Sequence, residues 1–282
     1  MNREMTLPTT AHDSSYPPGT RDYHSPLTTH HSLFTACLHI FVLSLRRLFF
    51  SRQTLVSLVL TALVCLLVYG WSKQAEPSVK KFAEEVLVVV HAAFLVPIFA
   101  ICYGTSAVGG EREDRTLVYL LITPLPRPLI FLVKFAAAVT LILGWTVGSL
   151  VAIGFVGRPW GMEAIRMFWP ALVLGATAYA SLFHTLGAAF RRGTIISLAY
   201  TFFLEGLLGN MPGLVKRVSL SFYQSCMIYD AGSEYEIAPL IAREMFIPIS
   251  GRSAAVVLAS VAVGLFGAGL TVFTCREYRD LS

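Results

Sequence analysis

Three ionisable side chains lie within long apolar stretches, where charge is costly and a functional role is a reasonable hypothesis. They are His91, His184 and Glu205. Together they could form a metal site or a proton relay, but their spacing matches no metal-ligand motif. Neutral imidazoles that hydrogen-bond between helices explain the two histidines better. Two interpretations of Glu205 stay open: it forms a structural hydrogen bond to a loop helix, or it binds a substrate or carries a proton.

The densest cluster of charges in the sequence is followed by an apolar turn and two prolines. The charged residues are Glu111, Arg112, Glu113, Asp114 and Arg115. Thr116 can cap a new helix, which Pro124 and Pro126 would end because proline lacks a backbone donor. The apolar turn contains Leu117, Leu120 and Leu121. A short helix parallel to a membrane could contact a cytoplasmic partner here; a solvated turn that only positions the next helix is the equal alternative.

Glu111 and Glu113 are expected to pin the end of the preceding helix through pairs with Arg112, Arg115 or a cation of a partner. This expectation treats the pairs as exposed to solvent. An exposed ion pair contributes only about 0–1 kcal/mol, so the loss of one pair should barely affect folding.

Six apolar runs are long enough to cross a membrane as helices and would position these residues. A bilayer core needs about 20 apolar residues in helical form. The runs are 54–71, 86–108, 129–156, 167–190, 193–209 and 253–275. The fifth is the weakest, because it is short and contains Glu205. The expected fold is an all-α integral membrane protein with six transmembrane helices.

The segment before the first span, 33–50, is too short to cross a membrane because its apolar run ends at Arg46 and Arg47. It predicts an amphipathic interfacial helix with the arginines at lipid phosphates. An extended start of the first span is the alternative.

The density of lysine and arginine predicts the orientation of the loops. It places 109–128, 191–192 and both termini in the cytoplasm, with 1–32 as a disordered tail and 276–282 as the C-terminus. Segment 210–252, which glycines and prolines interrupt, predicts short extracytoplasmic helices before the last span.

Composition favours a membrane protein over a soluble one. Hydrophobic residues make up 55% and charged residues 14% of the 282 residues, and a globule of this size could not bury so much apolar surface. The formal net charge of +5 fits contacts with lipid headgroups and does not indicate nucleic-acid binding. The five cysteines form no C-x-x-C motif, so neither a disulfide framework nor a metal site is expected.

The stretch that begins at Glu111 resembles the signature of ABC type-2 transporter permeases. It reads Glu-Arg-Glu-x-x-Thr-Leu, then Leu-Leu, then Thr-Pro-x-x-Arg, with a lysine entering the next span. The stretch from Glu205 to Gly213, followed by Lys216 and Arg217, is similar to bacterial members of the family.

This resemblance implies an inner-membrane permease that dimerises and exports an unnamed substrate. ATP and Mg would bind to two separate ATPase subunits, and the chain itself contains no G-x-x-x-x-G-K-[ST] motif. The coupling element to the ATPase would comprise Glu111, Glu113, Arg115, Thr116, Leu117, Leu120, Leu121, Pro124, Arg127 and Lys134.

Two other classes of function compete with this one. An ATP-independent carrier or channel predicts internal repeats or several charges embedded in the membrane. An intramembrane enzyme predicts a group of catalytic side chains at one depth in the membrane.

Overall fold

The computed structural model describes residues 26–73, 78–113, 125–211, 215–237 and 248–275. All regular secondary structure in these ranges is helical, which confirms the all-α class. The helices are α1 (Pro26–Phe49), α2 (Arg52–Ser72), α3 (Val79–Arg112), α4 (Arg127–Val156), α5 (Trp160–Ala189), α6 (Gly193–Leu207), α7 (Leu220–Ala231) and α8 (Gly251–Cys275). Short 3₁₀ turns are formed by Leu208–Asn210, Val215–Val218 and Ser233–Tyr235.

Five of the described helices are long and apolar enough to cross a membrane: α2, α3, α4, α5 and α8. Helix α6 corresponds to the predicted span 193–209 but has only 15 residues, which is about 22 Å against a bilayer core of about 30 Å. A sixth span therefore stays a prediction.

Two spans begin about two helical turns earlier than their apolar runs suggest. Helix α3 starts at Val79 rather than at residue 86, and α5 starts at Trp160 rather than at 167. Charged residues such as Glu85 and Glu163 occupy their first turns, which lowers local hydropathy without ending the helix. Ser78 caps the start of α3 by accepting a hydrogen bond from the backbone N–H of Lys81.

The end of α3 also differs from the predicted loop 109–128. Helical structure continues through Ser106–Glu113, so the first charged residues belong to the last turns of the span. Two stretches of α3, Phe82–Leu95 and Ile101–Thr105, are π-helical. The predicted turn between α5 and α6 lies at 190–192.

Helix α1 is separate from α2 rather than an extended start of the first span. Ser51 has extended backbone angles between them, and its hydroxyl donates to the Leu48 carbonyl oxygen at 2.6 Å. Helix α1 packs against α4. Its position at a membrane interface remains a prediction.

Helices α2, α3 and α4 run in alternating directions, which gives the bundle two distinct ends. The start of α2 meets the end of α3 through Thr54 and Tyr103, and the opposite ends meet where the Trp71 indole donates to Glu85 at 2.7 Å. We call the end that contains Glu111 the Glu111 end. The opposite end, which carries α7, is the α7 end.

Helix α5 is the most buried of the long helices and packs against α3, α4, α6, α7 and α8. Two apolar cores lie along it, one around Tyr179 and Phe183 and one around Phe168. At Gly187 the backbones of α5 and α3 approach so closely that a Cβ atom would lie 2.7 Å from the Thr105 carbonyl oxygen.

Candidate functional site

Three charged side chains from three helices meet at the Glu111 end. Glu111 Oε1 forms ion pairs with Arg47 Nη1 of α1, at 3.1 Å, and with Lys134 Nζ of α4. The exposed fraction of these side chains falls from 39% for Arg47 to 13% for Glu111 and 1% for Lys134. The Lys134 ammonium also donates to the Ala107 carbonyl oxygen at 3.4 Å. We call these three residues the Glu111 cluster.

The position of Glu111 explains why two cations gather around it. It lies in the last turns of α3, where the partial negative charge of the helix terminus disfavours a carboxylate. Arg47 of α1 and Lys134 of α4 compensate the negative charge of the Glu111 carboxylate and the partial negative charge of the helix terminus. The cluster therefore stabilises the end of α3 and fixes α1 and α4 to it.

The start of α2 is held to the end of α3 by two further polar contacts. The hydroxyl oxygens of Thr54 and Tyr103 lie 3.1 Å apart, and the Gln53 amide donates to the Ser106 hydroxyl. Tyr103 and Ser106 are three positions apart on α3 and therefore lie on one face of that helix.

The two described partners of Glu111 are residues that sequence reasoning did not assign to it. Arg47 was assigned to lipid phosphates, whereas it pairs with Glu111. Lys134 was part of the family signature, but its partner could not be named from sequence. The pair with Lys134 is largely buried, so the value of about 0–1 kcal/mol for an exposed ion pair does not apply to it.

The other predicted coupling residues have different outcomes. Arg127, at the start of α4, donates to the Thr274 carbonyl oxygen of α8 at 3.4 Å. Arg46, which was predicted to contact lipid phosphates from the interfacial helix, is exposed on α1. Glu113 is described only as part of a helix. Arg115, Thr116, Leu117, Leu120, Leu121 and Pro124 lie outside the described residues.

Glu205 is buried near the C-terminal end of α6 and binds the N-terminus of α7. Its Oε1 accepts from the Leu220 backbone N–H at 2.9 Å and from the Tyr200 hydroxyl at 3.3 Å. Its Oε2 accepts from the Ser221 backbone N–H at 3.1 Å and from the Ser219 hydroxyl. Four donors occupy the lone-pair sites of the carboxylate, which supports the structural interpretation of this residue over a substrate or proton role.

The two membrane histidines each hydrogen-bond between helices. His91 Nε2 lies 3.2 Å from the Thr146 carbonyl oxygen and 3.0 Å from Ser149 Oγ, both on α4. His184 Nδ1 of α5 lies 3.3 Å from the Gly104 carbonyl oxygen of α3. Within the described ranges, no group of three His, Cys, Asp or Glu side chains could hold a metal ion.

An apolar cleft of about 310 Å³ lies between α3 and α6, beside Ser221 in the first turn of α7. Phe94 and Ile98 line one wall, and Leu198 and Phe202 line the other. Glu205 borders the cleft, but its carboxylate oxygens are engaged by α7. The lining favours apolar groups over charged ones.

The chain matches a known protein family. A family model described as ABC-2 family transporter protein matches residues 42–206, which is more than half of the chain. The match contains the Glu111 cluster and Glu205, together with all of α2 to α5. No curated protein matches the chain. The chain therefore belongs to the ABC-2 transporter family.

Proposed function

We propose that this ABC transporter permease is the membrane subunit of an exporter whose energy comes from ATP, with Mg, on a separate ATPase subunit. The subunit would act as a dimer in the inner membrane, with both termini in the cytoplasm. Residues 111–126 would receive the ATPase and pass its movement to the helices. The family match supports the permease assignment and an ATPase partner.

The Glu111 cluster is the observation that carries the coupling proposal. It joins α1, α3 and α4 where the chain leaves α3 for the stretch 114–124 and returns in α4. A force applied to this stretch would act on two spans directly and on α1 through Arg47. A single contact between the ATPase and this stretch would therefore move α1, α3 and α4 together.

The apolar cleft between α3 and α6 gives a substrate class to test first. Its walls suit apolar or amphipathic molecules, because charged groups would lose hydration there without gaining partners. Lipids, drugs and apolar peptides fit this description.

Co-purification with the cognate ATPase tests the partnership. We expect two permeases and two ATPases by mass measurement, ATP hydrolysis only when the ATPase is present, and transport in vesicles only with ATP. Robust flux from the permease alone, driven by an ion gradient, would instead identify an ATP-independent carrier.

A substitution in the coupling stretch tests the contact itself. Leu117→Asp places a charge in an apolar contact and should weaken ATPase binding, whereas Leu117→Met conserves volume and should not. The two variants are compared by co-purification and by a thermal melt of the permease. Equal ATPase binding by folded Leu117→Asp and Leu117→Met would show that this turn does not receive the ATPase.

A further inference from the structure

Helix α7 depends on another helix for the cap of its N-terminus. Ser219 occupies the N-cap position but makes no capping bond to its own helix; its hydroxyl donates to Glu205 instead. The first two backbone N–H groups, of Leu220 and Ser221, also donate to Glu205. A carboxylate near the end of α6 thus holds the start of α7 by three of its four hydrogen bonds.

The last turn of α7 makes a similar contact with the last span. Asp230 Oδ2 accepts from the backbone N–H of Gly251, the first residue of α8, at 3.0 Å. A Cβ atom at Gly251 would lie 2.5 Å from that oxygen, so glycine is what allows the approach. A carboxylate at each end therefore links α7 to a different membrane helix.

Between these two contacts α7 is packed on both sides. Phe222 and Cys226 form a small buried cluster with Ala254 of α8. On the opposite side the Gln224 amide fits against α5, where a Cβ atom at Gly175 would lie 2.5 Å from it. Twelve helical residues, about 18 Å long, are thus held at both ends and along their length.

We infer that α7 is a rigid strut that links the end of α6 to the start of α8 through Glu205 and Asp230. Displacement of α6 at this end is passed to α8, because α7 is fixed to both. Glu205 is then a positioning residue that acts through α7. The inference does not depend on the proposed function, since it concerns only how these helices are joined.

Cys226 provides a natural reporter for the strut. It lies two turns from the Glu205 contact, is 1% exposed and packs on α8, and burial raises the pKa of its thiol. Alkylation by a maleimide should be slow while α7 is docked and fast once it moves away. The measurement uses the full chain in lipid nanodiscs, where both faces are accessible, with Cys37, Cys65, Cys102 and Cys275 replaced by serine.

Glu205→Ala should increase the alkylation rate of Cys226 about tenfold or more, because hydrogen bonds to a charged group are the stronger class. Asp230→Ala should increase it as well, from the other end. Glu234→Ala, which removes an exposed carboxylate from the same segment, is the matched control and should leave the rate unchanged. Glu205→Gln keeps the shape of the side chain, and it replaces Glu205→Ala in this comparison if the alanine variant does not fold.

A second substitution separates a strut from a simple helix cap. Ser219→Asp in the Glu205→Ala background supplies a local N-cap carboxylate but no link to α6. The strut predicts that Cys226 stays reactive in this double variant. A return to the native rate would show that Glu205 only caps α7, and an unchanged rate in folded Glu205→Ala would show that α7 does not need α6; either result overturns the inference.

Discussion

Neutralising Glu111 tests whether the Glu111 cluster is a buried ion pair rather than a surface one. Glu111→Gln keeps the shape of the side chain but removes the charge that compensates Lys134, whose side chain is 1% exposed. Removing one partner of a buried pair destabilises a protein by about 3–5 kcal/mol. At about 2–4 °C per kcal/mol, we expect the Tm of the purified permease to fall by roughly 10 °C.

The other members of the cluster give matched controls. Arg47→Gln removes the half-exposed partner and should cost only about 0–1 kcal/mol. Lys134→Met removes the buried cation but leaves Glu111 paired with Arg47, so its effect should be intermediate. The double variant Glu111→Gln with Lys134→Met leaves no uncompensated buried charge and should recover most of the lost stability.

The assay is thermal unfolding of each variant in the same detergent, with the double-mutant cycle evaluated from the four Tm values. Two results would refute the reasoning. One is an equally small effect of Glu111→Gln and Arg47→Gln. The other is a double variant whose loss equals the sum of the two single losses, because that would mean that Glu111 and Lys134 do not stabilise each other.

Three further predictions address packing, the membrane histidines and orientation. Gly187→Ala should destabilise the permease by about 1–3 kcal/mol because its methyl group meets the backbone of α3, whereas Gly264→Ala, with open space around it, should be neutral or stabilising in a thermal melt. His91→Leu should lose about 1 kcal/mol of helix–helix hydrogen bonding and retain transport; abolished transport in a stable variant would indicate a proton relay. In intact cells whose native cysteines are replaced, an impermeant thiol reagent should label a cysteine at Ser233 and spare one at Asp114, and the reverse pattern would invert the proposed orientation.

The sequence predicted the helices of the fold better than their limits. Apolar runs identify five long helices because burial in a bilayer requires near-continuous apolar composition. They missed the first two turns of α3 because Lys80 and Glu84 reduce the hydropathy of a helix that Ser78 has already capped. Charged residues at a span end do not stop a helix whose polar side chains can reach solvent.

The candidate site was predictable in its residue types but not in its contacts. Glu111 and Lys134 belong to the family signature, yet only the packing of α3 on α4 shows that they pair. Arg47 lies on a helix whose face toward α4 cannot be read from its own sequence pattern. Glu205 was predicted to bond with a loop helix as one of two alternatives, and the structure identifies that helix as α7.

Glu111 and Glu205 are not equivalent, although each joins separate segments of the chain. The described partners of Glu111 include charged side chains, Arg47 and Lys134, so a matched substitution can remove both sides of the buried pair at once. Glu205 is engaged by backbone N–H groups and hydroxyls, and a backbone donor is removed only by a substitution to proline. Its loss leaves buried donors unsatisfied, and only another acceptor can satisfy them. The charges of the Glu111 cluster can therefore be removed in pairs, whereas the N-terminus of α7 keeps its backbone donors after most substitutions and needs an acceptor close to them.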